Sequence, residues 1–308
     1  MRIVIALGGN ALQRRNEPHD ARHRRQHLAI AANAVATLAR DHEIVVTHGN
    51  GPQIGMLALA GATAGRTEPL DELVAESQGL LGYLIERALT EALPGRAIAT
   101  VLTEVEVDAK DPGFSCPTKP IGPVYSNVEA WKLASRQGWL MVRDGIGFRR
   151  AVASPEPRRI HGLTAIKTLS DAGMLVICGG GGGIPIVAQS DGSLRGAEAV
   201  IDKDLTAALI AEEIGAQTLL LLTDVAAVST EWGNPSSPLI AEAPPQELRR
   251  LHFAPGSMGP KVEAACRFVE HTGGAAIIGA LEDAAALLLG TAGTLVRHGL
   301  APIRYRHA

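Results

Sequence analysis

Cysteine is scarce in this chain, and what there is does not cluster. Cys116, Cys178 and Cys266 are three in number, odd and far apart, which argues against a disulfide framework and against a zinc site and fits a reducing cytoplasm. Aromatic residues make up only 3% of the sequence, and they are not interleaved with basic residues as on surfaces that bind single strands. The formal net charge of -3 offers no overall attraction to a polyanion, so nucleic acid is not an expected partner. No apolar run approaches the ~18 residues of a membrane span, and the N-terminal run is broken by glycine too early for a signal peptide. The standard nucleotide signatures are missing as well. There is no G-x-x-x-x-G-K-[ST], no strict G-x-G-x-x-G, no H-R-D with D-F-G, and no G-x-S-x-G elbow of the α/β hydrolases.

Lysine is the most informative scarcity. The chain holds 23 arginines and six lysines, so arginine is its default cation and each lysine asks for a reason. Lys110, Lys132 and Lys167 lie in ordinary charged or helical surroundings. Lys119, Lys203 and Lys261 sit instead in PTKP, IDKD and GPK, beside proline or glycine turns. A compact ammonium can follow a phosphoryl group between donor and acceptor oxygens, which a planar guanidinium does poorly. Phosphoryl transfer needs positioning and charge neutralisation more than it needs a nucleophilic side chain.

With 308 residues and 46% apolar content, there is ample material for a large core. Ile3 to Leu7 is an unbroken apolar run suited to a strand buried on both faces of a parallel sheet. Gly8 and Gly9 then allow a sharp turn that bares backbone N–H groups, and Asn10 adds an amide that donates and accepts. Ile44 to Thr47 reads as a second buried strand running into HGNGP, His48 to Pro52, so the same design appears twice. Two such turns in one parallel sheet face each other across the strand ends and form a small-anion pocket, the usual ligand position in open α/β sheets. His19, His23 and His27 recur every four residues among arginines, a pattern read as a solvated helix face rather than a metal site.

Leu70 to Leu93 has a long helical pattern with ESQGLLGY inside it, whose Gly79 and Gly82 suggest close packing or a dimer face. Six of the 18 prolines fall between Asp108 and Ile160, marking an inserted flap rather than core. Leu175 to Cys178 reads as a strand leading to Gly179 to Gly183, a run favoured as a phosphate cradle. Asp202 and Asp204 open an alanine-rich helix, where capping explains the aspartates but not Lys203 between them. Gln217 to Leu222 is a further strand ending in Thr223 and Asp224. GSMGPK opens another helix with Pro260 in its first turn. The C-terminal part supplies a strand at Ala275 to Ile278, a helix near Asp283 to Leu289 and a strand at Thr294 to Val296.

ALGGNAL, VVTHGNGPQIG, AESQGLLGY, PTKPIGPVYS, SPEP, CGGGGGIP, AVIDKDLTAALIA, LLTDV and GSMGPKVEAA follow one another over nearly the whole chain. In that order they resemble the carbamate kinases of the amino-acid-kinase superfamily. The resemblance implies an α/β fold, a three-layer α/β/α sandwich with a central, mainly parallel sheet and a small protruding subdomain. It implies an acceptor-binding lobe over about residues 1–165 with the flap at 108–160, and a nucleotide-binding lobe over about 166–308. It further implies a homodimer and the reversible reaction of ATP and carbamate to ADP and carbamoyl phosphate with Mg²⁺.

By the same resemblance, Gly8, Gly9, Asn10, Gly49, Asn50 and Gly51 hold the carbamate or its phosphorylated form. Lys119 reaches down from the flap, Lys203 and Lys261 flank the γ-phosphate, and Asp204 orients those lysines. Asn10 joins the three lysines and Asp204 as a catalytic candidate, and Gly180, Gly181, Gly182, Thr223, Asp224, Met258 and Lys261 line the nucleotide. One departure bears on nucleotide preference: after TDV the family has a second aspartate and a tyrosine where this chain has Ala226 and Ser229. The competing readings are another small-acid kinase of the superfamily and a nucleotide-binding regulator without catalysis. Retention of all three lysines argues against the regulator.

Overall fold

The computed structural model describes residues 1–9, 20–231, 237–253, 258–300 and 302–306. The apolar run at the N-terminus becomes strand β1, Arg2–Leu7, in the middle of the principal sheet. Ile3, Val4, Ile5 and Ala6 are wholly buried, which for the larger side chains contributes about 1.5–3 kcal/mol each. Flanking β1 in parallel are β2, Glu43–His48, and β12, Thr218–Thr223. Beyond β2 come β9, Leu175–Ile177, and the edge strand β3, Ile98–Thr100. Beyond β12 come β14, Ala275–Ala280, then β15, Thr294–Val296, then β13, Leu239–Ala243, then β16, Arg304–Arg306. Among the described residues this makes nine strands. Those from β3 to β14 all run parallel, and antiparallel pairing enters only at β14–β15 and β13–β16.

The sheet alternates even where the sequence does not. Val4, Ala6, Val45, Val176, Leu219, Leu221 and Ile278 face one cluster, covered by the helices Leu163–Asp171, Lys203–Glu213 and Met258–Thr272. Ile3, Ile5, Leu7, Ile44, Val46, Leu220 and Leu222 face the other, under the helices Ala21–Ala39, Leu70–Ala92 and Ala284–Leu288. With both faces covered, the middle positions of the central strands are driven apolar, which gives the three-layer α/β/α sandwich its continuous runs. Leu7 stands level with His48 on one side and Leu222 on the other. The chain leaves β1 towards β2 and returns later to place β12 on the opposite side, so the carboxyl end of β1 is a topological switch point.

A second sheet, in the order β11-β10-β4-β8, joins β4, Glu104–Val107, and β8, Pro157–Ile160, to β10, Ile184–Ala188, and β11, Leu194–Gly196. The protruding subdomain is the antiparallel sheet of β5, Lys119–Tyr125, β7, Gly147–Val152, and β6, Met141–Asp144. The helix Asn127–Gln137 sits on it, started by a reciprocal Ser126/Glu129 capping box and stopped by Gly138 at φ 68. Within the proline-rich excursion 108–160, then, the flap sheet spans Lys119 to Val152, while the last strand pairs back onto β4.

The flap is seated on the body through a cluster of Ile54, Ala58, Leu73 and Val74 with Ile121, Val152 and Val200. Of the three recurring histidines, His23 pairs with Asp20, the cap of its own helix, His27 is buried, and His19 lies outside the described residues.

Candidate active site

The two glycine turns meet as their sequence symmetry suggests. Gly8 N–H donates to Leu222 O at 2.9 Å and Gly49 N–H to Leu7 O at 3.0 Å, so each turn is tied to the neighbouring strand end. A Cβ built on Gly8 would stand 3.0 Å from Leu222 O, and one on Gly49 would stand 3.1 Å from Gly9 N and 3.3 Å from Lys203 Cδ. The second glycine turn is therefore also the passage through which the Lys203 side chain reaches the strand ends. Asn10 lies outside the described residues.

Asn50 precedes the helix Gly51–Thr63 but its amide does not cap it. Its Nδ2 donates to Ser77 Oγ at 2.6 Å, and that hydroxyl donates onward to Val74 O at 2.7 Å. The first N–H groups of the helix are left with no side-chain cap, an anion-favouring arrangement. Gly51 opens that helix with open space on its side-chain face.

The run Gly179 to Gly183 is a buried turn, and Gly179, Gly181, Gly182 and Gly183 have φ between 60 and 92. The missing side chains make room for the protein itself. A Cβ on Gly180 would strike His48 Nε2 at 2.4 Å, on Gly181 Asn50 Nδ2 at 1.9 Å, and on Gly182 Ile201 O at 2.3 Å. Gly180 O accepts from Gln78 Nε2 at 2.9 Å and Gly182 O from Thr206 Oγ1 at 2.8 Å. The glycines expected to cradle phosphate thus press against the His48–Pro52 turn and the IDKD segment, and bind those two segments together.

Asp202 caps the helix Lys203–Glu213, its Oδ1 accepting from Asp204 N–H at 2.9 Å. Asp204, 3% exposed, lies between two lysines. One carboxylate oxygen pairs with Lys203 Nζ, and the other accepts from Lys261 Nζ at 3.1 Å. The Nζ of Lys119 donates to Asp202 Oδ2 at 3.0 Å and to Ile201 O at 3.1 Å. Three lysines from three separate elements are thereby gathered on two aspartates one residue apart.

Burial works to raise the Asp204 carboxyl, but the ammonium groups of Lys203 and Lys261 overcome it and hold the group well below the carboxylate range. Asp202 is likewise held low, burial being outweighed chiefly by the charge of Lys119. Burial and the charge of Lys261 lower Lys203. Lys261 is raised against its burial by Asp204 and Asp202. The two lysines on Asp204 are about equally buried and move in opposite directions because Lys203 also carries the repulsion of Lys261, whereas Lys261 gains from Asp204, Asp202 and Asp224. The charge of Asp224 also reaches Lys261, so three ammonium groups stand among three carboxylates, gathered where they can turn to the oxygens of a phosphate group.

Of the residues expected on the nucleotide side, Thr223 Oγ1 donates to Asp224 Oδ1 at 3.1 Å. Met258, expected against the nucleotide, is buried in the apolar cluster under the sheet at the start of the Lys261 helix. Ala226 is exposed, while Ser229 donates to Ser237 Oγ at 2.8 Å in a small hydroxyl network. Sequence reasoning missed Ser77 and Gln78, which fix Asn50 and Gly180. The available signal was a polar pair on the face of Leu70–Ala92 that otherwise buries Leu73, Val74 and Leu81. Gly82 of the same helix packs tightly, its missing Cβ 2.3 Å from Thr100 Cγ2, whereas the side-chain position of Gly79 opens onto free space.

Residues 1–279 match the model of the amino acid kinase family. A carbamate kinase of Rhizobium meliloti is 51% identical, over 99% of this chain and 96% of that protein. One from Haemophilus influenzae is 48% identical over 99% of both. The solved structure of carbamate kinase from Giardia lamblia bound to AMP-PNP is 37% identical, covers 96% of this chain and 98% of its own, and superposes with a TM-score of 0.86.

Proposed function

This chain belongs to the amino acid kinase family, and we propose that it transfers a phosphoryl group reversibly between ATP and carbamate, giving ADP and carbamoyl phosphate. The observation that carries the reading is the convergence of Lys119, Lys203 and Lys261 on Asp202 and Asp204 at the carboxyl ends of β1, β2 and β12. No nucleophilic side chain is required. Lys203 and Lys261 neutralise the migrating phosphoryl group from opposite sides of Asp204, which keeps both ammonium groups aimed and charged. Gly8, Gly9, Asn10, Gly49, Asn50 and Gly51 hold the small acceptor, and Lys119 closes over it from the flap. Gly180 to Gly182, Thr223, Asp224, Met258 and Lys261 form the nucleotide side. Residues 1–165 then act as the acceptor lobe, with the flap at 108–160, and 166–308 as the nucleotide lobe.

No group of three or more potential metal ligands occurs among the described residues, and both oxygens of Asp204 are already paired with lysines. That donor set fits Mg²⁺ arriving as part of MgATP or MgADP, ligated mainly by phosphate oxygens. The ion supplies further neutralisation of phosphate charge, and the lysines supply the rest.

A homodimer is supported by the open edge of β3 and by Leu80 and Tyr83, which are exposed on the neighbouring helix. A cytoplasmic location is supported by three cysteines without a disulfide. No helix among the described residues is long and apolar enough to cross a membrane. The reaction is tested by adding carbamoyl phosphate and MgADP to the purified protein and measuring ATP. The expected result is ATP formation that stops in excess chelator. No ATP, or full activity under chelation, overturns the reading.

A further inference from the structure

The returning stem of the flap, Val152 to Glu156, touches all three elements that carry the site lysines. Val152 lies opposite Lys119 in the pairing of β5 with β7. Ala153 O accepts from Val200 N–H at 2.9 Å, in the segment that leads directly into Lys203. Glu156 pairs with Arg267, which lies on the helix Met258–Thr272 that bears Lys261 in its first turn. Arg267 Nε also pairs with Glu263 at 2.6 Å, and Glu263 pairs with Arg249, whose guanidinium holds Glu270 at 2.9 Å.

The stem cannot easily absorb movement. Pro155 and Pro157 fix the backbone on either side of Glu156. Glu156 N–H donates to Asp111 Oδ2 at 3.0 Å, while Asp111 Oδ1 accepts from Gly113 N–H at 2.7 Å. A Cβ on Gly113 would stand 3.2 Å from the Ser154 carbonyl, so the outgoing and returning stems are pressed together. A shift of the flap sheet is therefore passed along the stem to Glu156. A lone surface ion pair contributes little to stability. This one joins a stiff stem to a helix through a guanidinium shared between two carboxylates, and its consequence is geometric.

We propose that Glu156 is a positioning residue, acting through Arg267 to lock the Lys261 helix to the flap stem. Closure of the flap over the acceptor and placement of Lys261 against the nucleotide then become one event. The inference rests on the phosphoryl-transfer reading above, and one of its two readouts is independent of turnover.

In the wild-type protein MgADP should slow deuterium exchange in flap peptides 119–152, and in Glu156→Gln that slowing should be lost while the Kd for ADP stays within about twofold. Glu156→Gln should also lower kcat about fivefold and raise KM for carbamoyl phosphate. Glu156→Asp, which keeps the charge one methylene short, should fall between wild type and Glu156→Gln and serves where Glu156→Gln unfolds. Equal flap protection in wild type and Glu156→Gln overturns the coupling, as do a kcat and a KM for carbamoyl phosphate in Glu156→Gln unchanged from wild type. Absence of ATP formation by the wild type overturns the enzymatic reading instead, with the exchange comparison still deciding the coupling.

Discussion

Gly55 and Gly122 meet backbone to backbone, so that a Cβ built on Gly55 would stand 1.9 Å from the Cα of Gly122. Gly55 lies on the helix that begins at the second glycine turn, and Gly122 on the flap strand that carries Lys119. Gly122 has φ 77 and is held against the helix, so this contact is a seat for the flap rather than a loose joint. Its closeness sets how far Lys119 reaches.

Gly55→Ala should therefore push the flap strand outwards. The expected stability loss is about 1–3 kcal/mol, as for overpacking elsewhere. Turnover should fall with the Kd for ADP unchanged. Thermal unfolding, steady-state kinetics and ADP titration check it together. Wild-type turnover in Gly55→Ala would mean that Lys119 is placed independently of this contact.

Lys203→Ala should lower kcat by about two to three powers of ten, comparable to losing one preorganised donor to a transition state, with a much smaller effect on ADP binding. Lys203→Arg should rescue poorly, because a planar fork cannot follow the phosphate as a compact ammonium does. Rapid-quench measurement of the chemical step decides. Near-normal turnover in the alanine variant would reduce Lys203 to a structural ion pair with Asp204.

Asp202→Asn separates two functions of one side chain. Asparagine caps a helix about as well as aspartate, so the helix Lys203–Glu213 should keep its start. The 3.0 Å ion pair with Lys119 should be lost, freeing the flap. Deuterium exchange in peptides 119–152 should quicken, and Lys119→Ala should produce the same pattern. Unaltered exchange in both variants would falsify the tether.

His48 is buried against Gly180, and its Nδ1 lies 3.2 Å from Gly49 O. Burial, aided by the charge of Lys203 and opposed by that contact, lowers its pKa to about 4. The unfolded chain binds this proton near pH 6.5 and the folded one only near 4, so stability is full above 6.5 and is lost as pH falls towards 4. The loss should approach roughly 3 kcal/mol. Denaturant titrations across that window should show the slope in wild type and a flatter line in His48→Asn. Equal slopes would assign the acid sensitivity to other groups.

Much of the architecture is legible in the sequence. The paired turns at Gly8 and Gly49, the alternation of buried strand with helix, the separate character of the proline-rich stretch Asp108 to Ile160 and the three odd lysines each follow from local composition. Each rests on a backbone requirement or a residue choice that leaves a mark at its own position. The fixing of Asn50 by Ser77 and of Lys119 by Asp202 left no comparable mark, because those partners are 27 and 83 residues apart.

The glycine run shows the limit most clearly. Its composition goes beyond a plain surface turn, which would need only one or two glycines, and favours a phosphate cradle. Only the tertiary structure decided what fills the space, which is His48, Asn50 and Ile201. The sequence by itself determined the elements and the residue types of the site, because strand burial, turn geometry and charge are dictated locally. The packing of β2 beside β9, and of the Lys261 helix against the helix of Lys203, decided which groups meet. Those distances depend on how whole layers settle on one another, which no single stretch of the chain encodes.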